Sequence, residues 1–134
     1  MNEIINFLQK RRSTTAKAML EGEVSEDHLT EIINCGIRVP DHAALNPWKI
    51  VIIKGQKRNE LGVNVLEPEF KKNNPEANQD EILFERDRFL RANVILSIIS
   101  SPVEHSKIHQ WEMHLSAGAV CQNLLIAAQS LNYA

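Results

Sequence analysis

The stretch Arg38-Val39-Pro40-Asp41-His42-Ala43-Ala44-Leu45-Asn46-Pro47-Trp48 lies between an amphipathic helical pattern and a β-branched apolar run. It must therefore be a connection, and its prolines bias the residues before them, Val39 and Asn46, away from the α region. Connections of this kind often carry binding groups that the scaffold holds in place. This one has a cation, a carboxylate, an imidazole, an amide and an indole. It is either a helix-to-strand loop anchored in the core by Trp48 or part of a binding site.

The patterns on both sides of this stretch predict a mixture of helices and strands. Before it, Ser25 is typical of an N-cap and is followed by apolar residues at helical spacing as far as Ile37. After it, near-continuous apolar runs predict strands that are covered on both faces. The predicted helices are 2–10, 26–37, 59–66, 81–91 and 107 onward, and the predicted strands are 49–54 and 93–100. Residues 68–80 are the most loop-like part and predict a mobile surface segment or a lid.

The length and composition indicate one globular domain, residues 1–134. Hydrophobic residues make up 43% and charged residues 24%, and the net charge of −2 gives no reason to expect nucleic acid or an acidic membrane as a partner. Cys35 and Cys121 fall in helical patterns and are expected to be buried free thiols, which is consistent with a cytoplasmic location. A sheet of two strands is rarely stable alone, so we expect the chain to lack further strands or to borrow them from a partner.

Arg11-Arg12-Ser13 follows the first predicted helix and offers two guanidinium groups beside a hydroxyl. Guanidinium binds phosphate through paired hydrogen bonds and stays charged, so this cluster suits an anionic ligand. Arginines at a helix end are also common as solvated charges. In the same way, His42 is suited to a phosphate or a heterocycle edge, although a loop histidine is often only a surface residue.

His105, His109 and His114 raise the possibility of a metal site, since the first two could share a helix face. The His-Glu-x-x-His order and paired cysteines are absent, so no metal is predicted. The sequence also has no Gly-x-Ser-x-Gly and no glycine-rich phosphate loop, and Ser116-Ala117-Gly118 does not follow a predicted strand. Hydrolase and P-loop classes are therefore disfavoured.

Together these segments resemble the nitroreductase family of FMN-dependent oxidoreductases. The resemblance is carried by Arg11-Arg12-Ser13 after a helix, by Arg38…Pro40-Asp41-His42, by Asn46-Pro47-Trp48 before a strand, and by Trp111-Glu112…Ser116-Ala117-Gly118-Ala119 on a long helix. It covers nearly all of the chain in the correct order. It implies an α+β fold, with a central mixed or antiparallel sheet flanked by helices, and a homodimer with FMN at the subunit interface.

The resemblance also implies which residues bind the cofactors. Arg11, Arg12 and Ser13 would hold the FMN phosphate and the polar edge of the ring, and Arg38 and His42 would reach FMN bound mainly by the other subunit. Asn46 and Pro47 belong to the same cofactor-binding set, and Ser116, Ala117 and Gly118 would lie near the nicotinamide of NADH or NADPH. Positive charge near the flavin pyrimidine would stabilise the reduced ring, and hydride transfer needs no side-chain nucleophile. The implied acceptor is a nitroaromatic, a quinone or a similar small molecule.

The sequence departs from the family pattern in two places. Asn46 stands where many members have glutamine before Pro-Trp, which keeps the amide on a shorter side chain. The family's further strands, flavin contacts and swapped tail after the long helix are missing, so we expect a fragment or a truncated relative. The rival hypothesis is a non-catalytic relative that binds flavin or only dimerises.

Overall fold

The computed structural model describes residues 2–20 and 22–134, which form an α+β fold as predicted. Two strands, β1 (Trp48–Lys54) and β2 (Val94–Ser100), pair in a sheet. The backbone N–H of Ser101 donates to the carbonyl of Pro47 at 2.8 Å, which joins the end of β2 to the start of β1 and makes the pair antiparallel. The helices are α1 (Glu3–Lys10), α2 (Glu26–Gly36), α3 (Gln56–Leu61), α4 (Glu67–Asn73), α5 (Gln79–Arg86) and α6 (Gln110–Ser130).

Short helical turns connect these elements. Three are 3-10 turns, at Ala16–Ala18, His42–Ala44 and Asp87–Arg91, and one is a π-helical segment at Gly62–Leu66. The chain divides into two compact units. The α6 unit contains residues 2–14, 24–51 and 98–134, and the α5 unit contains residues 15–20, 22–23 and 52–97.

The core of the α6 unit is formed by one face of α6 packed against α2. The buried residues of this face recur three or four positions apart, as expected for a helix with one buried side: Met113, Ala117, Val120, Leu124 and Ala127. From α2, Leu29 and Ile32 are buried on the same spacing. The predicted N-cap of α2 is confirmed, since Ser25 accepts from His28 N at 3.1 Å. Asn2, which was not predicted as a cap, caps α1 by accepting from Ile4 N at 3.0 Å.

Helix α2 approaches α6 closely at Gly36. A Cβ placed on Gly36 would lie 2.3 Å from Cδ2 and 2.6 Å from Cγ of Leu124, and Leu124 is itself buried. Glycine is therefore the residue that fits at position 36, because the Cβ of any other residue would displace a core side chain. The α5 unit has a similar contact, where a Cβ on Gly62 would lie 2.2 Å from the carbonyl oxygen of Arg86.

The prediction of a loop over 68–80 is wrong for most of its length. Residues 67–73 form α4, because Pro68 lies in the first helical turn, where its missing N–H costs little, and Lys71 pairs with Glu67 at 2.6 Å. A capping box starts α5 at Gln79: Asn78 Oδ1 accepts from Glu81 N at 3.0 Å, and Glu81 Oε2 accepts from Asn78 N at 2.9 Å. Only residues 74–78 connect the two helices.

Three further expectations need correction. Cys35 and Cys121 are free and lie on helices as predicted, but both are exposed, because each lies on the side of its helix that faces away from the core. The strands are not covered on both faces within the described chain, since Val51 and Ile99 remain 43% and 45% exposed. The prediction was based on the apolar content of the strands alone, and the described helices do not cover both faces of the sheet. The last helix begins at Gln110 and not near residue 107, because His109 is its N-cap and the backbone N–H of His109 donates to Oε1 of Glu112 at 3.4 Å.

We predict that Gly36→Ala lowers the free energy of unfolding by about 1–3 kcal/mol, because the added methyl group overpacks the contact with Leu124. The matched control is Gly118→Ala on α6, where a Cβ meets nothing within 4 Å. Alanine is the better helix former, so the control is expected to gain about 0.5–1 kcal/mol. Urea unfolding of both variants measures the difference, and a Gly36→Ala protein as stable as the control would contradict the packing argument.

Candidate functional site

The Arg11-Arg12-Ser13 segment is fixed to the C-terminal end of α6 by the side chain of Gln129. Arg11 follows α1 as its C-cap, and its Nε donates to Gln129 Oε1 at 2.8 Å. Gln129 Nε2 in turn donates to the backbone carbonyl of Arg12 at 2.7 Å. Arg11 Nη2 is also 3.4 Å from Ser13 Oγ, so the predicted cluster is brought together. No motif or spacing in the sequence marks Gln129 as a residue of this cluster.

Both guanidinium groups keep donors that face outward. Arg12 is exposed and Arg11 is half-buried, and Arg12 Nη1 donates to the carbonyl of Arg11 at 3.2 Å. Within residues 2–20 and 22–134, neither has a carboxylate partner. Two neighbouring cations without a counter-ion repel one another, so an anion bound between them would be stabilised.

The loop of residues 38–48 has an unusual backbone. Ala43, Ala44 and Asn46 have φ values of 61°, 53° and 48°. This is the left-handed backbone conformation, which residues other than glycine adopt at a cost in free energy. Asp41 holds the turn, since its Oδ2 accepts from the backbone N–H of Asn46 at 2.7 Å. Pro47 is fully buried and Trp48 is half-buried, so both anchor the loop while His42 and Asn46 are exposed.

Residues of α6 tie this loop to the helix. Ser116 Oγ donates to the carbonyl of Pro40 at 2.9 Å, and Asn123 Nδ2 donates to the carbonyl of Arg38 at 2.9 Å. The Arg38 side chain is exposed. Of the small residues predicted near a nicotinamide, Ser116 and Ala117 are buried and Gly118 is exposed. The hydroxyl of Ser116 is thus used inside the protein, and only Gly118 of the three presents a free surface.

His42 forms a direct side-chain contact between the loop and the first turn of α6. Its Nδ1 is 3.1 Å from Oε2 of Glu112, and since a carboxylate only accepts, Nδ1 carries the proton and Nε2 is left for a ligand. This hydrogen bond lowers the pKa of Glu112 below its ordinary value of 4.5; partial burial acts in the opposite sense, and the backbone N–H of His109 adds to the lowering.

A groove of about 380 Å³ opens beside this pair, within the α6 unit. Most of its lining surface is apolar. The apolar side chains are those of Pro40, Trp111, Leu115 and Ala119, and the polar ones are those of Asp41, His42, Glu112 and Ser116. Trp111 is 61% exposed and Leu115 65% exposed, four residues apart on one side of α6. A flat apolar wall with a histidine at its edge suits a planar heterocycle. The sequence places Trp111 and Leu115 on a helix but does not show that both side chains are exposed, so this groove was not predicted.

The histidines do not form a metal site. His105 lies outside any helix and His109 is the residue before α6, so the predicted shared face does not exist, and His114 Nδ1 is 2.7 Å from Ser100 Oγ. Among the described residues, no three of histidine, cysteine, aspartate and glutamate are grouped so that they could bind a metal ion. In the same part of the chain, every helix is too short or too polar to cross a bilayer.

We predict that His42→Ala raises the pKa of Glu112 toward 4.5, because the main cause of the lowering is removed. Since the pKa is lowered on folding, the stabilisation from this contact is present above pH 4.5 and disappears as the pH falls through the lowered pKa. Carboxyl carbon NMR of Glu112 follows the titration. His105→Ala is the control, and equal midpoints in both variants would contradict the assignment.

Comparison with known proteins places the chain in a family. A sequence model described as "Nitroreductase family" matches residues 8–134. YdjA of Escherichia coli strain K12, named as an NAD(P)H nitroreductase, is 28% identical over 128 residues, which cover 94% of this chain and 66% of YdjA. A Haemophilus influenzae protein with a name of the same type is 22% identical over 134 residues, covering 98% of this chain and 69% of that protein. The chain thus spans about two thirds of the length of these relatives.

Solved structures show the same fold. The nitroreductase-like family protein from Bacillus cereus superposes with a TM-score of 0.74 at 24% identity, covering 97% of this chain and 66% of that one. A Bacteroides fragilis nitroreductase with bound FMN superposes with a TM-score of 0.69 at 17% identity, covering 98% and 66%. The fold and the match over residues 8–134 agree with the sequence motifs, and the chain belongs to the nitroreductase family.

Proposed function

We propose that this chain belongs to an FMN-dependent oxidoreductase that passes hydride from NADH or NADPH, through the flavin, to a nitroaromatic, a quinone or a similar acceptor. The names of its relatives and the FMN bound to the Bacteroides fragilis protein support the proposal. The single observation that carries it is the anchoring of Arg11 and Arg12 to Gln129, which presents two cations at a fixed place on α6. In the same proposal the protein is a cytoplasmic homodimer.

The phosphate of FMN would bind at Arg11, Arg12 and Ser13. Charge-assisted hydrogen bonds from guanidinium to phosphate are stronger than neutral ones, and groups that are already positioned lose less entropy on binding. Gln129 provides this positioning because it holds the Arg11 side chain and the Arg12 backbone at the same time. The donor set therefore fits a phosphate monoester.

The flavin ring would bind against the groove beside Trp111 and Leu115. The exposed indole and leucine side chains offer an apolar surface to a planar ring, and Nε2 of His42 offers a polar contact at its edge. Asn46 has its Nδ2 bonded to the carbonyl of Ala44 at 3.0 Å, which leaves its side-chain oxygen as an acceptor. Gly118, without a side chain, would allow the nicotinamide to approach the helix closely.

The two parts of this site are too far apart to bind one FMN within one chain. Gln129 lies 18 residues after Trp111 on the same helix, and at about 1.5 Å of rise per residue their Cα atoms are roughly 27 Å apart. An extended FMN molecule is shorter than this. A second copy of the chain, with its groove brought to the arginine cluster of the first, would complete the site, which supports the proposed homodimer with FMN at the interface.

Bound FMN would supply the chemistry, since it takes up hydride from the nicotinamide and releases it to the acceptor. The side chains then have positioning and electrostatic roles. Arg11 and Arg12 neutralise the phosphate, Trp111 excludes water from one side of the ring, and the Glu112 carboxylate keeps the Nδ1 proton on His42. Nε2 of His42 is left to accept a hydrogen bond from the ring edge or from the acceptor.

We predict that the purified protein, as isolated or after loading with FMN, shows the absorbance bands of oxidised flavin in the near-ultraviolet and blue. These bands should disappear when NADH or NADPH is added without oxygen and return when a quinone is added. Bound flavin that stays oxidised with either nicotinamide would favour the rival hypothesis of a non-catalytic relative. A protein that takes up no FMN would contradict the proposed function.

A further inference from the structure

A second cavity lies in the α5 unit, within residues 15–20, 22–23 and 52–97. It has a volume of about 580 Å³, which is in the range of small-molecule sites, roughly 300–1,000 Å³. Its principal lining residues are Lys17, Leu20, Arg58, Phe84, Leu90 and Arg91. We call it the Phe84 cleft. None of its residues is used by the proposed flavin site.

The Phe84 cleft is strongly cationic. Lys17, Arg58 and Arg91 all line it, and no aspartate or glutamate of the described chain does so. Arg58 and Arg91 donate to uncharged groups: Arg58 to the carbonyls of Gly55 at 3.2 Å and Ala92 at 2.5 Å, and Arg91 to the carbonyl of Phe84 at 2.9 Å. Three like charges around one cavity repel one another, and this repulsion is relieved when an anion binds.

The cleft also presents an aromatic surface. The ring of Phe84 is at the surface, and the residue is 49% exposed. The guanidinium carbon of Arg91 is 4.0 Å from its centroid, and Nζ of Lys17 is 4.9 Å from the same centroid. Leu20 and Leu90 add apolar side chains that are 93% and 42% exposed. Exposed apolar side chains next to unneutralised cations match a ligand that has a ring and a negative charge.

The simplest alternative is that the cations are held only by the Phe84 ring. Cation–π contacts at exposed sites are weak, however, and one ring does not neutralise charge. That alternative also does not explain the third cation, Arg58, whose hydrogen bonds within the described chain go to two carbonyls and which lines the same cavity. Arg88, which is on the same 3-10 turn as Arg91, provides a contrast. It lies outside the cleft and pairs with Glu85 at 2.7 Å.

We propose that the Phe84 cleft binds a small aromatic carboxylate. The carboxylate accepts hydrogen bonds from Lys17 and Arg91, and the ring packs against Leu20 and Leu90, with the Phe84 ring at one side. This site is separate from the proposed flavin chemistry and does not depend on it.

Isothermal titration calorimetry of the full chain with 2-naphthoate tests the proposal. Because affinity per atom is modest for ligands of this size, we expect a Kd on the order of 1 mM or below at low salt. Neutral 2-naphthamide and inorganic phosphate are each expected to bind at least about tenfold more weakly, since each lacks one of the two required features. Raising the ionic strength should weaken naphthoate binding, because screening reduces the attraction between exposed charges.

Variants assign the binding to the cleft. Lys17→Gln and Arg91→Gln should each weaken 2-naphthoate binding at least about fivefold, while the matched control Arg88→Gln leaves it unchanged. Lys17→Arg guards against loss by misfolding: it keeps the positive charge and should keep naphthoate binding, in contrast to Lys17→Gln. Trp111→Ala, which alters only the groove of the α6 unit, should have no effect.

Two results would overturn the proposal. Naphthoate binding that is lost in Trp111→Ala but kept in Lys17→Gln would place the ligand in the other groove. Equal affinity for inorganic phosphate and 2-naphthoate would show that the ring contributes nothing. Either result leaves the test of the flavin site unaffected, because that test reads the absorbance of FMN.

Discussion

The packing of α2 against α6 is the contact on which the rest of the α6 unit depends. The two helices approach each other closely where Gly36 meets Leu124, and this contact brings the end of α2 beside α6. The side chains of Ser116 and Asn123 then reach the carbonyls of Pro40 and Arg38, so the loop after α2 is bonded to α6 at two points. The strained backbone of this loop is held by those bonds and by Asp41.

The same helix fixes the other candidate binding residues. Its first turn holds His42 through Glu112, and its last turns hold Arg11 and Arg12 through Gln129. Helix α6 thus sets the distance between an apolar groove and a cationic cluster. A core helix that carries polar groups at both ends positions a site without flexible connections, which keeps the entropy cost of binding low.

The sequence predicts well those features that are local. The cap of α2 follows from Ser25, and the apolar runs place β1 and β2 within a residue or two. The order of the motifs also identifies the family, and with it the α+β fold. The loop assignment at 68–80 failed because proline and polar content were weighed above the first-turn position of Pro68 and the capping box at Asn78.

Contacts between distant residues were beyond prediction from one sequence. The bond of Arg11 to Gln129 joins residues 118 positions apart, and the contact of His42 with Glu112 joins residues 70 apart. Periodicity locates Trp111 and Leu115 on a helix but does not say which face is covered, so the exposed groove beside them could not be predicted. The exposure of Cys35 and Cys121 was missed for the same reason.

The central claim is that α6 separates two halves of a flavin site that two chains complete together. The most direct measurement is the FMN content of a mixed dimer, purified through two different tags, of Arg11→Ala with Trp111→Ala. If the site is shared, one of the two sites in this dimer has both intact halves, so the account predicts one FMN per two chains. Each variant alone is expected to lose FMN, and the control Lys10→Ala is expected to keep it. A mixed dimer with no FMN, as expected if each chain forms its own site, would contradict the account.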